Sequence, residues 1–151
     1  MSVAGEPRDH MNALLGVLLP FARDAIAEHG TFFPIGATMS PDGELQAAGG
    51  DAGGTEPTAD ALLDSIRDGF RSRADQGKLI ATGVATDVTI PQGEFPLGIR
   101  IELEHRDEDP ITCVVPYREM DGGAFEYGDI VAFEGQRLTW DEPAGGSDSP
   151  Q

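Results

Sequence analysis

The clearest alternation of apolar and polar residues lies between Leu97 and Tyr117. Positions 97, 99, 101 and 103 are apolar and are separated by charged residues or glycine, and positions 111, 113, 115 and 117 repeat the pattern after a charged turn. Successive side chains of a β-strand point to opposite faces, so this period of two predicts an antiparallel hairpin with one core face and one wet face. Val114 makes the outer face of the second strand less polar, which indicates that something covers it.

Two other segments have the period of an amphipathic helix. Residues 8–29 form the first, and residues 58–77 form the second, with Thr58 as a plausible N-cap. Pro20 lacks the N–H that an interior helical position needs, so we expect the first helix to kink there or to be two helices. The apolar stripe of the first helix comprises Met11, Leu14, Leu15, Leu18, Phe21, Ala22, Ala25 and Ile26.

The remaining segments predict further strands and define the fold class. Residues 31–50 indicate a hairpin that turns at Pro41-Asp42-Gly43, and residues 78–90 indicate another strand. One more strand is predicted over 124–133, with a short return over 137–140. We therefore predict an α+β fold, with an antiparallel sheet of about five strands, both helices packed on one face and the order α-β-β-α-β-β-β.

The domain organisation follows from where this periodicity begins and ends. Residues 8–140 are predicted to form a single α+β domain. Residues 1–7 and the acidic tail 141–151 contain no periodic apolar pattern, so we expect both to be disordered. Residues 49–57 are rich in glycine and are predicted to be a linker.

Charge limits the classes of partner. The chain of 151 residues has 27 acidic and 10 basic residues, which give a formal net charge of −17. Such a field repels phosphate groups, so we expect no nucleic-acid or membrane partner, whereas a basic protein partner is electrostatically favoured. Adaptation to salt would produce the same composition, and the sequence is compatible with both explanations.

Cysteine usage and the lack of a membrane segment indicate a cytoplasmic protein. Cys113 is the only cysteine, so no intrachain disulfide can form, and its place on the apolar face predicts a buried, inert thiol. The apolar run 11–21 is too short to cross a bilayer. We read it as part of a helix.

No recognisable constellation of catalytic residues is present. The three histidines and the cysteine are far apart in sequence and form no zinc-ligand spacing, so neither a metal nor another cofactor is predicted. The strongest polar cluster that the sequence offers lies on the predicted hairpin over 97–117, which we call the organising hairpin, and consists of Glu102, Glu104, His105 and Tyr117.

Two functional hypotheses follow. The first is a non-catalytic protein–protein interaction domain that uses an exposed face or edge of the sheet. A homodimer through that surface is one form of this hypothesis. Its predicted surface residues are Val114, Phe125, Tyr127 and Phe133. The second is a small-ligand-binding protein or enzyme with a pocket between the first helix and the sheet, into which Glu104, His105 and Tyr117 converge.

Three resemblances accompany these hypotheses. Phe33-Pro34-Ile35-Gly36-Ala37 through Asp42-Gly43 resembles the first hairpin of the cytidine deaminase fold. That family carries its zinc and acid/base motif on the next helix, where this chain has Thr58-Ala59-Asp60-Ala61, so the resemblance implies the fold without the zinc-dependent activity.

The order of elements is also similar to that of roadblock and longin-like scaffold modules, which pair through their sheets and act by binding. The net charge is similar to that of small acidic bacterial proteins that neutralise toxins. Both resemblances imply a binding role.

Overall fold

The computed structural model describes residues 6–48, 58–91 and 94–140, and these form an α+β domain built on one antiparallel sheet. The helices are α1 (Pro7–His29) and α2 (Ala59–Asp75). The strands are β1 (Ile35–Met39), β2 (Leu45–Ala48), β3 (Ala81–Thr89), β4 (Leu97–His105), β5 (Glu108–Glu119), β6 (Phe125–Tyr127) and β7 (Val131–Glu134). Of the predicted regions, 1–5, 49–57 and 141–151 lie outside the described residues.

The sheet contains more strands than the sequence predicted. Six strands follow the order β2-β1-β3-β4-β5-β6, and a seventh, β7, pairs with β5. The α+β class and the antiparallel sheet are confirmed, but the count of about five strands is wrong. The predicted strand over 124–133 is split into β6 and β7, which pair with different parts of β5, and residues 137–140 form no strand.

The organising hairpin is confirmed. β4 and β5 pair in the register Leu97↔Tyr117, and the pairing continues to His105↔Glu108 across a register shift near the turn. Of the residues of β4 that the alternation assigned to the core, Ile99, Ile101 and Leu103 are buried, and Leu97, at the start of the strand, is half-buried.

Helix α1 begins slightly earlier than predicted and is continuous. The backbone N–H of Glu6 donates to the Asp9 carboxylate at 3.0 Å, and Pro7 occupies the first turn, where a missing N–H costs little. Glu6 is the N-cap and Pro7 is the first helical residue, so the helix begins one residue before the predicted start at residue 8. The alternative of two helices meeting at Pro20 is also wrong. Pro20 and Gly16, whose carbonyl loses its partner to the proline, are both exposed, so water can satisfy that carbonyl.

The two helices pack on opposite faces of the sheet, which corrects the prediction that both lie on one face. A Cβ atom built on Gly83 would meet the side chains of Leu18 and Leu14 in α1. On neighbouring β1, a Cβ atom on Gly36 would meet Phe70 and Ile66 of α2. Both helices have an apolar stripe, and a stripe does not specify which face of a sheet it covers.

Each face has its own apolar layer. The layer under α2 is small and centres on Ile66, Phe70 and Val84. The layer under α1 is the main core and comprises Met11, Leu14, Leu18, Ala22, Ile26, Ala37, Met39, Ala81, Ala85, Ile99, Ile101, Leu103, Cys113, Val115 and Tyr117, among others. Phe21, which the periodicity placed in this stripe, is 48% exposed instead.

We predict that Gly36→Ala destabilises the protein. The added methyl would lie 2.7 Å from Phe70 Cζ and 2.9 Å from Ile66 Cγ2, so these side chains of α2 must move away from β1. The expected loss is about 1–3 kcal/mol of unfolding free energy, measured by chemical denaturation. Gly69→Ala, in α2 with no atom near its Cβ position, is the control and should be neutral or stabilising. Equal effects of the two variants would contradict the close approach of α2 to the sheet.

Candidate functional site

The four residues of the predicted polar cluster do not converge. Glu102 and Glu104 alternate along β4 with Leu103 and His105, so the two carboxylates point to the α2 face and the imidazole points to the α1 face. Tyr117 pairs with Leu97, roughly 25 Å along the strand from the level of His105. The hypothesis that Glu104, His105 and Tyr117 line one pocket is therefore wrong.

His105 is bonded to a second histidine from the far end of the sequence. His10 and His105 are 7% and 2% exposed, and His10 Nδ1 lies 3.0 Å from His105 Nε2. The backbone N–H of Asp107 donates to His105 Nδ1 at 2.9 Å, so this nitrogen is an acceptor. In the neutral ring the proton is then on Nε2, from which it is donated to His10. The pair joins α1 to the tip of the β4–β5 hairpin.

The environment of His105 disfavours its charged form. Burial lowers its pKa below the ordinary value of 6.5, and the nearby His10 lowers it further. Asp107 and Glu108 act in the opposite direction, whereas Arg106 adds to the lowering. A buried neutral imidazole that is bonded at both nitrogens is suited to holding the fold rather than to exchanging protons with a substrate.

We predict that acid destabilises the protein through His105. Because the pKa of the folded state is lowered, the unfolded chain binds a proton that the folded chain does not, and the unfolding free energy falls as the pH drops below 6.5. Denaturation measured between about pH 7.5 and about pH 5.5 should show this slope, and His105→Gln should make it shallower. His29→Gln, at an exposed histidine, is the control and should keep the full slope. An unchanged slope in His105→Gln would contradict the assignment.

Glu104 fixes the segment 137–140, which we call the C-terminal clasp. Although it is a carboxylate, Glu104 is only 5% exposed. Its Oε1 accepts from the backbone N–H of Thr139 at 2.9 Å, its Oε2 accepts from that of Trp140 at 3.0 Å, and the N–H of Leu138 is 3.2 Å from both oxygens. Three consecutive N–H groups thus compensate for the burial of one carboxylate.

Two arginines also hold the clasp, Arg137 from within it and Arg71 from α2. Arg137 donates to the backbone carbonyls of His105 and Glu108 at 3.0 and 2.8 Å, and Arg71 of α2 donates to the Leu138 carbonyl at 2.9 Å. The clasp therefore lies on the α2 face, against the ends of β4 and β5. Residues 137–140, which were predicted as a return strand, are bonded by a side chain instead of by a strand.

We predict that Glu104→Gln releases the clasp. The amide of glutamine would place an N–H₂ group against backbone N–H donors, and we expect a loss of about 2–3 kcal/mol in unfolding free energy. Trp140, the only tryptophan, is a direct reporter, since its fluorescence should shift to longer wavelength as it enters water. Glu102→Gln, two residues earlier on the same face, is the control and should leave the emission unchanged.

Glu102 and Tyr117 also have internal partners. The Glu102 carboxylate bonds Arg67 of α2 at 2.5 Å and lies 3.4 Å from Arg100. The Tyr117 hydroxyl donates to Asp87 Oδ1 at 2.7 Å, and Asp87 Oδ2 accepts from the Thr31 hydroxyl. Burial, together with the bond to Asp87, raises the pKa of Tyr117, so its hydroxyl stays protonated.

The predicted interaction residues lie on two faces. Phe125 and Tyr127 are half-buried and pack on Tyr117 in the α1 layer, with ring centroids 6.1 and 5.8 Å from that of Tyr117. Val114 and Phe133 belong to the other face. These four residues therefore do not form one surface.

Val114 and Phe133 mark an exposed apolar surface that we call the β7 edge, consisting of Val114, Ile130, Val131 and Phe133. Val131 pairs with Val114 and Phe133 pairs with Thr112, so Val114, Val131 and Phe133 share a face, and Ile130 directly precedes the strand. Ile130, Val131 and Phe133 are 49%, 54% and 46% exposed, whereas Val114 is half-buried. In the described part of the chain, β7 pairs with β5 and with no other strand.

Sequence reasoning missed a cleft beside the C-terminal part of α1. It has a volume of about 740 Å³ and is lined by Phe21, Asp24, Ala25, Glu28, His29, Thr31, Phe32, Phe33, Pro34 and Ile35. Its position between the end of α1 and the start of β1 partly matches the predicted pocket, but Glu104, His105 and Tyr117 are not among its lining residues. We name it the α1 cleft.

The remaining candidate features are the cysteine, groups of metal-binding side chains and membrane-spanning helices. Cys113 is buried, and burial raises the pKa of its thiol, as expected for an inert cysteine. Within residues 6–48, 58–91 and 94–140, no three His, Cys, Asp or Glu side chains are grouped to hold a metal ion. Neither helix of the described part has the length and apolar content needed to cross a membrane.

Comparisons with known proteins add no relative. No protein-family model, curated protein or solved structure significantly matches this chain. Its own contacts and exposed surfaces are therefore the basis for a functional proposal.

Proposed function

We propose that the protein is a non-catalytic interaction module that binds a basic protein partner through the β7 edge. The observation that carries this proposal is the exposure of Val131 and Phe133 on an edge strand, with the exposed Ile130 directly before it. Large apolar side chains that remain exposed together in a folded domain commonly mark a protein-binding surface.

The internal bonding of the polar residues supports a binding role. Glu104 is occupied by the C-terminal clasp, His105 by His10 and the backbone of Asp107, and Tyr117 by Asp87. Each of these groups would have to give up a structural bond to act on a substrate. A function in binding requires no such change.

The geometry of β7 favours a partner segment in extended conformation. β7 has one edge paired to β5, and within the described residues its other edge pairs with no strand. An added strand could bond the backbone of β7 there while its side chains pack on Val131 and Phe133. The net charge of −17 attracts a basic segment and opposes a second copy of the chain, so we favour a basic partner over the homodimer. We place this interaction in the cytoplasm, in keeping with a single, buried cysteine.

A peptide-binding experiment tests this function. A short synthetic peptide of alternating valine and lysine should bind, as measured by fluorescence anisotropy, and binding should weaken with added salt. The double variant Val131→Ser/Phe133→Ser should weaken binding about tenfold or more, because two large apolar contacts are lost. Leu45→Ser is the matched control, since Leu45 is 42% exposed on β2 at the opposite edge of the sheet.

Two results would overturn the proposal. One is equal binding by the double variant and by Leu45→Ser. The other is a dimer in sedimentation that the double variant abolishes, because the β7 edge would then serve a second copy of the chain.

A peptide with proline at its centre, which cannot complete the backbone bonds, should bind poorly if the added-strand geometry is correct.

A further inference from the structure

The α1 cleft is a second unexplained surface, separate from the β7 edge. On α1, Phe21, Asp24, Ala25 and Glu28 follow the spacing of one helical face, and the chain from Thr31 to Ile35 forms the facing wall. β3, β4 and β5 lie between β1, where the cleft ends, and β7. A ligand of the cleft would therefore bind independently of a partner at β7.

The lining combines aromatic surface with negative charge. Phe21 and Phe33 are 48% and 59% exposed, although most phenylalanine side chains of a folded domain are largely buried. Asp24 and Glu28 add two carboxylates, and no lysine or arginine is among the lining residues. The only other ionisable side chain there is His29, whose Nε2 lies 3.4 Å from Glu28 Oε1.

This combination matches the chemistry that recognises organic ammonium ions. The face of an aromatic ring attracts a cation, and a carboxylate nearby supplies the opposite charge. An apolar body on the same ligand would cover the exposed phenylalanine surface. The volume of about 740 Å³ falls in the range of sites for small organic molecules.

We propose that the α1 cleft binds a small organic ammonium ligand with an apolar body. This inference goes beyond the proposed function, because it concerns another surface and another class of ligand. The net charge of −17 adds a long-range field that raises the local concentration of any cation near the cleft. The specific prediction is that Asp24 and Glu28 select the charge while Phe21 and Phe33 hold the apolar body.

Three probes of one shape separate charge from apolar contact. They are 3-phenylpropylammonium, the neutral 3-phenylpropan-1-ol and the anionic 3-phenylpropionate, titrated into the full chain at neutral pH and followed by amide chemical shifts. The ammonium should bind, with shifts at residues 21–35, and its Kd should be about fivefold or more below that of the alcohol. The carboxylate should not bind.

Variants test the assigned roles. Asp24→Asn/Glu28→Gln should remove most of the advantage of the ammonium over the alcohol, and Phe33→Ala should weaken both of these probes. Asp64→Asn/Asp68→Asn is the control for net charge, since it removes two negative charges from α2, on the opposite face of the sheet. All changed side chains are exposed, so each variant should keep the amide spectrum of a folded protein.

Several outcomes would overturn the proposal. They are equal affinity for the ammonium and the alcohol, equal weakening by the two double variants, shifts located outside residues 21–35, and no binding at millimolar probe. None of them bears on the β7 edge, whose test uses a different probe and different variants.

Discussion

The fold depends on a sheet whose central strands are covered on both faces. Ala81 through Ala85 of β3 are all buried, so consecutive side chains, which point in opposite directions, enter two different apolar layers. Each helix packs closest to the sheet over a glycine. Gly83 of β3 lies under α1, and Gly36 of the adjacent strand β1 lies under α2. A helix can approach a strand this closely only where no side chain intervenes.

The same two-sided cover explains the roles of Glu104 and His105. Neighbours on β4 point to opposite faces, and both faces are closed at this end of the strand, so each polar group must find a partner inside the protein. Glu104 is bonded by the C-terminal clasp, and His105 by His10 near the start of α1. One dipeptide therefore ties both ends of the described chain to the tip of the β4–β5 hairpin. Glu104 and His105, which the sequence offered as candidate site residues, are thus bonded within the protein, and the two surfaces proposed for binding carry exposed apolar side chains instead.

The two proposed surfaces owe their exposure to positions at the margin of this layered arrangement. β7 lies at the edge of the sheet, where α2, which packs on β1 and β3, does not reach Val131 and Phe133. The α1 cleft lies where the helix ends and the chain turns back towards β1, so Phe21 and Phe33 have no layer to enter. In both places exposed apolar area coexists with a strongly acidic chain, and a cationic group with apolar character complements this combination.

The sequence by itself determined the local elements: the β4–β5 hairpin, the first hairpin around Pro41-Asp42-Gly43, and α2 with its Thr58 cap were all predictable, because periodicity and caps depend on residues a few positions apart. Only the tertiary structure decided that α1 and α2 take opposite faces, that residues 124–133 form two strands, and that Glu104, His105 and Tyr117 have separate partners. These outcomes depend on contacts between residues distant in sequence, such as His10 with His105, whose pairing leaves no local pattern. The α1 cleft was missed for the same reason, since Phe21 has the spacing of a core residue and only the path of the chain after His29 leaves it exposed.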